Sequence, residues 1–117
     1  MFTSDAGRRF LAARGVPTEI VDSLDHFGLS AICNVMAAVK TAKLLGLGPD
    51  DAILTVATDG AALYPSEYRK TLEHRFGGTF TDTDAAAVYG RHLAAADTAD
   101  MIECTHRDRS RVFNLGY

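Results

Sequence analysis

The residues best suited to chemistry in this chain gather in two short stretches. Thr58-Asp59-Gly60 sets a hydroxyl, a carboxylate and a conformationally free residue at the end of the apolar run 52–58. In open α/β sheets ligands lie beyond the carboxyl ends of the strands, so these residues stand where a ligand would arrive. An ordinary turn from a strand into a helix uses the same residue types. Gly28-Leu29-Ser30 opens a long helical stretch, whose free N–H groups and positive dipole end suit an anion or a polar ligand. A plain N-cap at Ser30 accounts for the same residues. Ser30, Asn34 and Thr41 fall on one side of that helix with Ala37 and Ala38 between them, a stripe that either lines a pocket or lets another element pack closely. His26, His74, His92 and His106 show no i,i+4 pairing and no cysteine at ligand spacing, so no metal site is expected. No Ser–His–Asp arrangement stands out. Lys40, Lys43 and Lys70 sit at helical positions as solvated or snorkelling side chains. Arg107, Arg109 and Arg111 read as a solvated face or a subunit contact.

Several elements must position these residues. The stretch 28–45 runs about four turns without Pro or internal Gly before Gly46. Ile32, Val35, Met36, Val39 and Ala42 make one apolar face, and Ala31, Cys33, Ala37 and Ala38 leave little of the remainder polar. A helix apolar on most sides is expected to be buried between layers. The run 52–58, Ala-Ile-Leu-Thr-Val-Ala-Thr, is β-branched and apolar on both faces, which predicts a strand inside a parallel sheet covered by helices. It is the one convincing strand in the chain, and one strand does not make a sheet.

The other segments are helical by pattern. Ser4 or Thr3 caps a helix reaching Arg14, with Phe10 and Leu11 inward. Ile20, Leu24 and Phe27 mark a short helix over 19–27. Pro65 starts a helix with Tyr68, Leu72 and Phe76 on one face, stopped at Gly77-Gly78. Thr81 with Asp84, and Thr105 with Asp108, form capping boxes with aspartate in place of glutamate. The first opens a helix over 82–96 that buries Ala85, Tyr89, Leu93 and Ala96. The second opens a last helix with Val112 and Phe113 inward.

The chain has 117 residues, 47% of them hydrophobic, and a net charge of −3. That is one domain or less, with apolar material for a core. An acidic balance offers no field for displacing counterions from nucleic acid, which also excludes a DNA-binding helix–turn–helix made of the first three helices. No apolar run reaches the length of a membrane span, and the first ten residues carry no signal-peptide hydrophobic region. Cys33 and Cys104 fall in helical or buried contexts without metal spacing and read as reduced thiols of a cytoplasmic protein.

Taken in order, Gly28-Leu29-Ser30, the small-residue helix, Asp50-Asp51, the run ending in Thr58-Asp59, then Tyr64, Thr81-Asp82-Thr83-Asp84 and the final Asp108-Arg109-Ser110-Arg111-Val112-Phe113-Asn114-Leu115-Gly116-Tyr117 form a series. This series resembles the C-terminal part of fold-type II pyridoxal-phosphate enzymes. It is closest to the cysteine synthase and cystathionine β-synthase-like family, in its longer, less characterised bacterial branch. The resemblance covers nearly the whole chain but only the last part of a family member. It implies a three-layer α/β/α large domain, tryptophan synthase β-like, of which residues 1–117 are a C-terminal fragment, mostly helical with one buried strand at 52–58. It also implies an enzyme that uses pyridoxal phosphate on amino-acid substrates and forms homo-oligomers.

In that family a lysine holds the cofactor covalently, an asparagine holds the ring hydroxyl, and a glycine-rich loop holds the phosphate. All three belong upstream of the matched part. What the resemblance carries onto this chain is the loop near the pyridine nitrogen. Thr58 is the first candidate for that contact and Asp59 the second. Gly60 stands where the group usually has serine, and Ser30 lies at the cleft as a weaker candidate. The expected function is therefore a segment of a lyase or β-replacement enzyme, inactive by itself. A non-catalytic helical binding or scaffolding module is the alternative.

Overall fold

Helix signals dominate the sequence, and a computed structural model, described for residues 1–115, is built from helices alone. Among the described residues there are six α-helices and no strand. They are α1 (Asp5–Ala13), α2 (Thr18–Ser23), α3 (Leu29–Leu45), α4 (Pro65–Phe76), α5 (Asp82–Val88) and α6 (His106–Asn114). Gly116 and Tyr117, the end of the series that carries the family resemblance, lie outside the described residues.

Local chemistry sets most of the boundaries. The Ser4 hydroxyl accepts from the Gly7 amide at 3.2 Å and caps α1. Pro65 occupies the first turn of α4, where its missing N–H costs nothing. Gly46 and Gly77 end α3 and α4 in the left-handed region, at φ 64° and 60°, a conformation open to residues without a Cβ. After Gly46 the Leu47 amide reaches back to the Ala42 carbonyl at 2.9 Å and closes the end of α3. Both expected capping boxes form, Thr81 with Asp84 and Thr105 with Asp108.

Three expectations about these helices need correction. The N-cap of α3 is Gly28, and Ser30 lies inside the first turn, which frees its hydroxyl for a tertiary partner. The helix opened by Thr81 changes at Tyr89 into a π-helical segment, Tyr89–Ala94. The change falls beside Gly90, the weakest helix former of that stretch. The last helix does not turn Val112 and Phe113 inward, since they are 62% and 74% exposed.

The larger difference concerns the core. Residues 52–58 form no strand, and Leu54 is 99% exposed. A strand needs a hydrogen-bonded neighbour, and among the described residues the backbone of this run receives one hydrogen bond, from Asn34 Nδ2 to the Val56 carbonyl at 2.8 Å. The expected burial of the run and of α3 is therefore not found. In α3 only Ala31 is buried, while Val35 and Val39 stand exposed. Cys33 lies in helix α3, in keeping with the expected helical or buried context, whereas Cys104 is neither helical nor buried; both thiols are exposed and free.

The buried apolar residues are Ala6, Leu11, Val21, Ala31, Ala61, Ala85 and Ala96. Alanine lets helices approach closely but brings little apolar area, so this core is thin. It sits where α1 packs on α2 and α5. Arg14 lies over the rings of both Phe10 and Tyr89, 5.1 Å from each centroid, and ties the π segment to α1. At the other end of α3, Lys40 and Lys43 donate to the carbonyls of Ala99 and Ala96, which follow the π segment.

The surface measures the same thinness. A compact monomer of 12.6 kDa exposes about 6200 Å², whereas this chain exposes 8703 Å². Its radius of gyration is 16.3 Å, against about 13 Å for a compact chain of this length.

Leu11 is the one leucine in this core, so Leu11→Ala should cost about 2–3 kcal/mol and lower the urea midpoint followed by far-ultraviolet circular dichroism. The capping carboxylates set an acid limit. Hydrogen bonds from the Thr81 hydroxyl and amide hold the Asp84 carboxyl below its ordinary value, and Thr105 does the same for Asp108. A carboxyl whose folded pKa is depressed stabilises the fold above its unfolded value and loses that contribution as pH falls through the folded one. Helical content should therefore drop on acidification below the ordinary carboxylate range. The double variant Thr81→Ala/Thr105→Ala should lose that acid step in a circular dichroism titration.

Candidate functional site

The two stretches singled out by their chemistry meet in space. The chain bends by 118° between the helical segment Thr18–His26 and α3, and Gly28 sits at the break. Its amide donates to the Asp59 carbonyl at 2.7 Å. A Cβ at Gly28 would lie 2.5 Å from Asp59 Oδ1, 2.8 Å from the Asp59 carbonyl oxygen and 2.7 Å from the Tyr64 ring. Only glycine lets the start of α3 come this close to the 58–64 loop.

Around that contact runs a chain of hydroxyls ending on one carboxylate. The Tyr64 hydroxyl donates to Asp59 Oδ2. Its proton being used there, the Ser30 hydroxyl donates to the Tyr64 oxygen, at 3.2 Å. The Thr58 hydroxyl faces Asp59 Oδ1 at a long 3.4 Å. Thr58 and Ser30 are exposed, and Asp59 and Tyr64 are half-buried. Gly60 turns the chain into the short 3₁₀ segment Ala61–Leu63 and passes close to the 24–26 turn, where a Cβ would lie 3.2 Å from the Asp25 carbonyl.

All four residues expected to line the site, Ser30, Thr58, Asp59 and Gly60, thus fall in one neighbourhood. Sequence reasoning missed the side chain that joins them. Tyr64 was part of the resemblance series but carried no role. The signal available was a polar aromatic a few residues beyond a Gly turn, within reach of the carboxylate it had just passed. Tyr68 and Asp25 were also missed. Burial pushes the Tyr68 phenol up, and the carboxylate of Asp25, the Tyr64 phenol and the Asp59 carboxylate add to the shift. Asp25 is paired with Arg8 at 2.6 Å. The Ser30–Asn34–Thr41 stripe serves contact rather than a pocket at two of its positions, Ser30 on Tyr64 and Asn34 on Val56.

This cluster gathers three hydroxyls on one carboxylate acceptor, and the guanidinium of Arg8 is committed to Asp25. It suits a ligand that donates an N–H, such as a protonated ring nitrogen or amine, better than an anion. The residues do not make a whole pyridoxal-phosphate site. The three lysines are engaged elsewhere, Lys40 and Lys43 on the 96–99 carbonyls and Lys70 on Glu67 at 2.9 Å. Among the described residues no glycine-rich cradle faces the cluster. An apolar cleft of about 510 Å³ lies to one side, between α3, α4 and the 80–93 stretch, lined among others by Leu29, Met36, Phe76, Phe80 and Leu93. None of the four expected site residues lines it. Among the described residues no three His, Cys, Asp or Glu side chains converge as metal ligands, and no single helix is long and apolar enough to cross a membrane.

The close approach at Gly28 can be measured. Gly28→Ala should cost about 1–3 kcal/mol through forced backbone shifts. At Gly48, where a Cβ meets nothing within 4 Å, Gly48→Ala should be neutral or stabilising by up to about 1 kcal/mol. Tyr64→Phe should cost about 1–2 kcal/mol for the lost bond to a carboxylate. Urea denaturation of the three variants beside the parent checks the order. Compared with protein-family models, with curated proteins and with solved structures, the chain matches none.

Proposed function

We propose that this chain is a helical segment from the large domain of a pyridoxal-phosphate-dependent lyase or β-replacement enzyme acting on amino acids, cysteine synthase-like, and that it does not catalyse by itself. The observation that supports this most is the meeting of Gly28-Leu29-Ser30 with Thr58-Asp59-Gly60 through the Gly28 amide and Tyr64. These are the two stretches that the resemblance sets beside the cofactor's cleft. In the complete domain the run 52–58 takes a strand form within a parallel sheet, and the α/β/α layering follows from that sheet. The excess exposed surface and the bare apolar side chains of 52–58 are what a chain lacking its sheet would present. The proposal puts the protein in the cytoplasm, where exposed thiols such as Cys33 and Cys104 stay reduced.

The chain's own part would be to hold one edge of the cleft. Pyridoxal phosphate supplies an electron sink for amino-acid chemistry once a lysine has bound it. The residues here supply neither that lysine nor a phosphate cradle. A single hydrogen bond from Thr58 is worth about 0.5–1.5 kcal/mol net, against about 8 kcal/mol for micromolar affinity.

Two measurements test the reading. Purified chain mixed with pyridoxal phosphate should develop no visible band of lysine-attached cofactor and no borohydride-trappable cofactor on Lys40, Lys43 or Lys70. It should also form no cysteine from O-acetylserine and sulfide. The native protein or complex, captured from its own cells with antibodies to this chain and reduced with borohydride, should carry a phosphopyridoxyl-lysine outside residues 1–117. A native protein free of the cofactor would sink the enzyme reading. The second reading, a non-catalytic helical binding or scaffolding module, would then stand, supported by the exposed apolar side chains of α3.

A further inference from the structure

The cleft of about 510 Å³ between α3, α4 and the 80–93 stretch takes no part in the cluster around Asp59, and its size is that of a small-molecule pocket. Separate parts of the chain wall it, among them Phe2 ahead of α1, Ile32 and Met36 of α3, and Leu93 of the π segment. Rings make up much of the apolar lining. Phe76 meets Phe80 edge to face with centroids 4.9 Å apart, and Phe2 and Tyr68 add two more rings. No residue of the 52–58 run lines the cleft, so its occupant and that run's neighbour are separate matters.

The polar lining is one-sided in charge. The chain carries 15 Asp and Glu residues and a net charge of −3. None of those carboxylates lines the cleft, whereas Arg75 and His92 do. Tyr68, Thr71 and Arg75 follow one another at three and four along α4 and so share a face. His92 belongs to the π segment, a winding that recurs at functional sites. Among the described residues the side chains of Tyr68, Thr71, Arg75 and His92 make no hydrogen bond or ion pair. Burial and neighbouring carboxylates push the Tyr68 phenol up, so it remains a donor at neutral pH. Those carboxylates, Asp25 and Asp59, lie outside the lining and are held by Arg8 and Tyr64. A guanidinium with no acid beside it and two hydroxyls on its own helix face is a donor set suited to a negatively charged acceptor.

We propose that this cleft binds a small arylalkanoic acid, its ring among Phe2, Phe76 and Phe80 and its carboxylate on Arg75, with Tyr68, Thr71 and His92 as further donors. The planar fork of an arginine takes a carboxylate through two parallel hydrogen bonds. An aromatic body meets ring faces and edges at geometries that an alkyl chain does not use. A neutral or cationic ligand would leave the guanidinium without its counter-charge.

Titration of the isotope-labelled 117-residue chain with phenylpropanoate, followed by amide chemical shifts, tests this. The expected result is saturable binding with a dissociation constant of about 1 mM or tighter, and shifts centred on Met36, Thr71, Phe76 and His92. Phenylpropanamide, which lacks the charge, should bind about tenfold more weakly. Hexanoate, an alkyl acid of similar hydrophobicity, should also bind more weakly. Arg75→Gln should weaken phenylpropanoate about tenfold or more and erase its advantage over the amide, a coupling that a merely structural arginine would not give. Arg75 is exposed, so this variant should keep the parent's helical circular dichroism. Arg69→Gln, at an exposed α4 position outside the lining, should leave binding unchanged. The proposal is overturned by an absence of saturable binding, by shifts that map elsewhere, or by an amide or hexanoate that binds as well as phenylpropanoate. It is equally overturned if the advantage of the acid survives Arg75→Gln. No arm of this titration involves pyridoxal phosphate, so this proposal and the cofactor reading fail separately.

Discussion

The hydrogen bond from the Gly28 amide to the Asp59 carbonyl is the contact on which the arrangement of the chain depends. It fixes the start of α3 against a loop that comes after α3 has run its whole length, and so closes a circuit through the 46–58 segment. The contact exists because position 28 carries no side chain. With it in place, Ser30 reaches Tyr64, Tyr64 reaches Asp59 and Asn34 reaches Val56. These side chains find partners because one short backbone contact brought their elements into range.

What surrounds that contact is sparsely packed. Among the described residues five of the seven buried apolar residues are alanines, and no large side chain falls below 2% exposure. The chain compensates with local devices: capping boxes at α5 and α6, a serine cap at α1, left-handed glycines at two helix ends, and Arg14 between two rings. Such devices shape helices efficiently. They are individually worth little beside the burial of a leucine or phenylalanine, and they do not bring layers together.

This division explains what could be read from the residues and what could not. Helix ends were legible at Ser4, Gly46, Pro65, Gly77, Thr81 and Thr105 because each is set by atoms within a few residues. The four candidate site residues were legible as a group because their types are those of element ends, which the fold brings together. The strand at 52–58 was not legible as a fact of this chain. A β-branched run apolar on both faces states a willingness to pair, and pairing needs a neighbour that local pattern does not supply. The inward setting of Val112 and Phe113 failed for a like reason, since periodicity names a face and not how deeply it is buried. Ser30 misled as an N-cap because its hydroxyl had a better use on Tyr64, a partner visible only once the 58–64 loop is folded back.

The π segment at Tyr89–Ala94 has a bearing on how this chain tolerates change. A π turn accommodates one residue more than an α turn, so the helix that α5 begins carries slack in its own winding. Loss of a residue there can be taken up by tightening to α geometry, without moving the Thr81 cap at one end or breaking the path toward Ala96 at the other. In a straight helix, loss of a residue between Tyr89, held by Arg14, and Ala96, held by Lys43, would have to shift one of those contacts. Here it becomes a change of winding, absorbed between two fixed points.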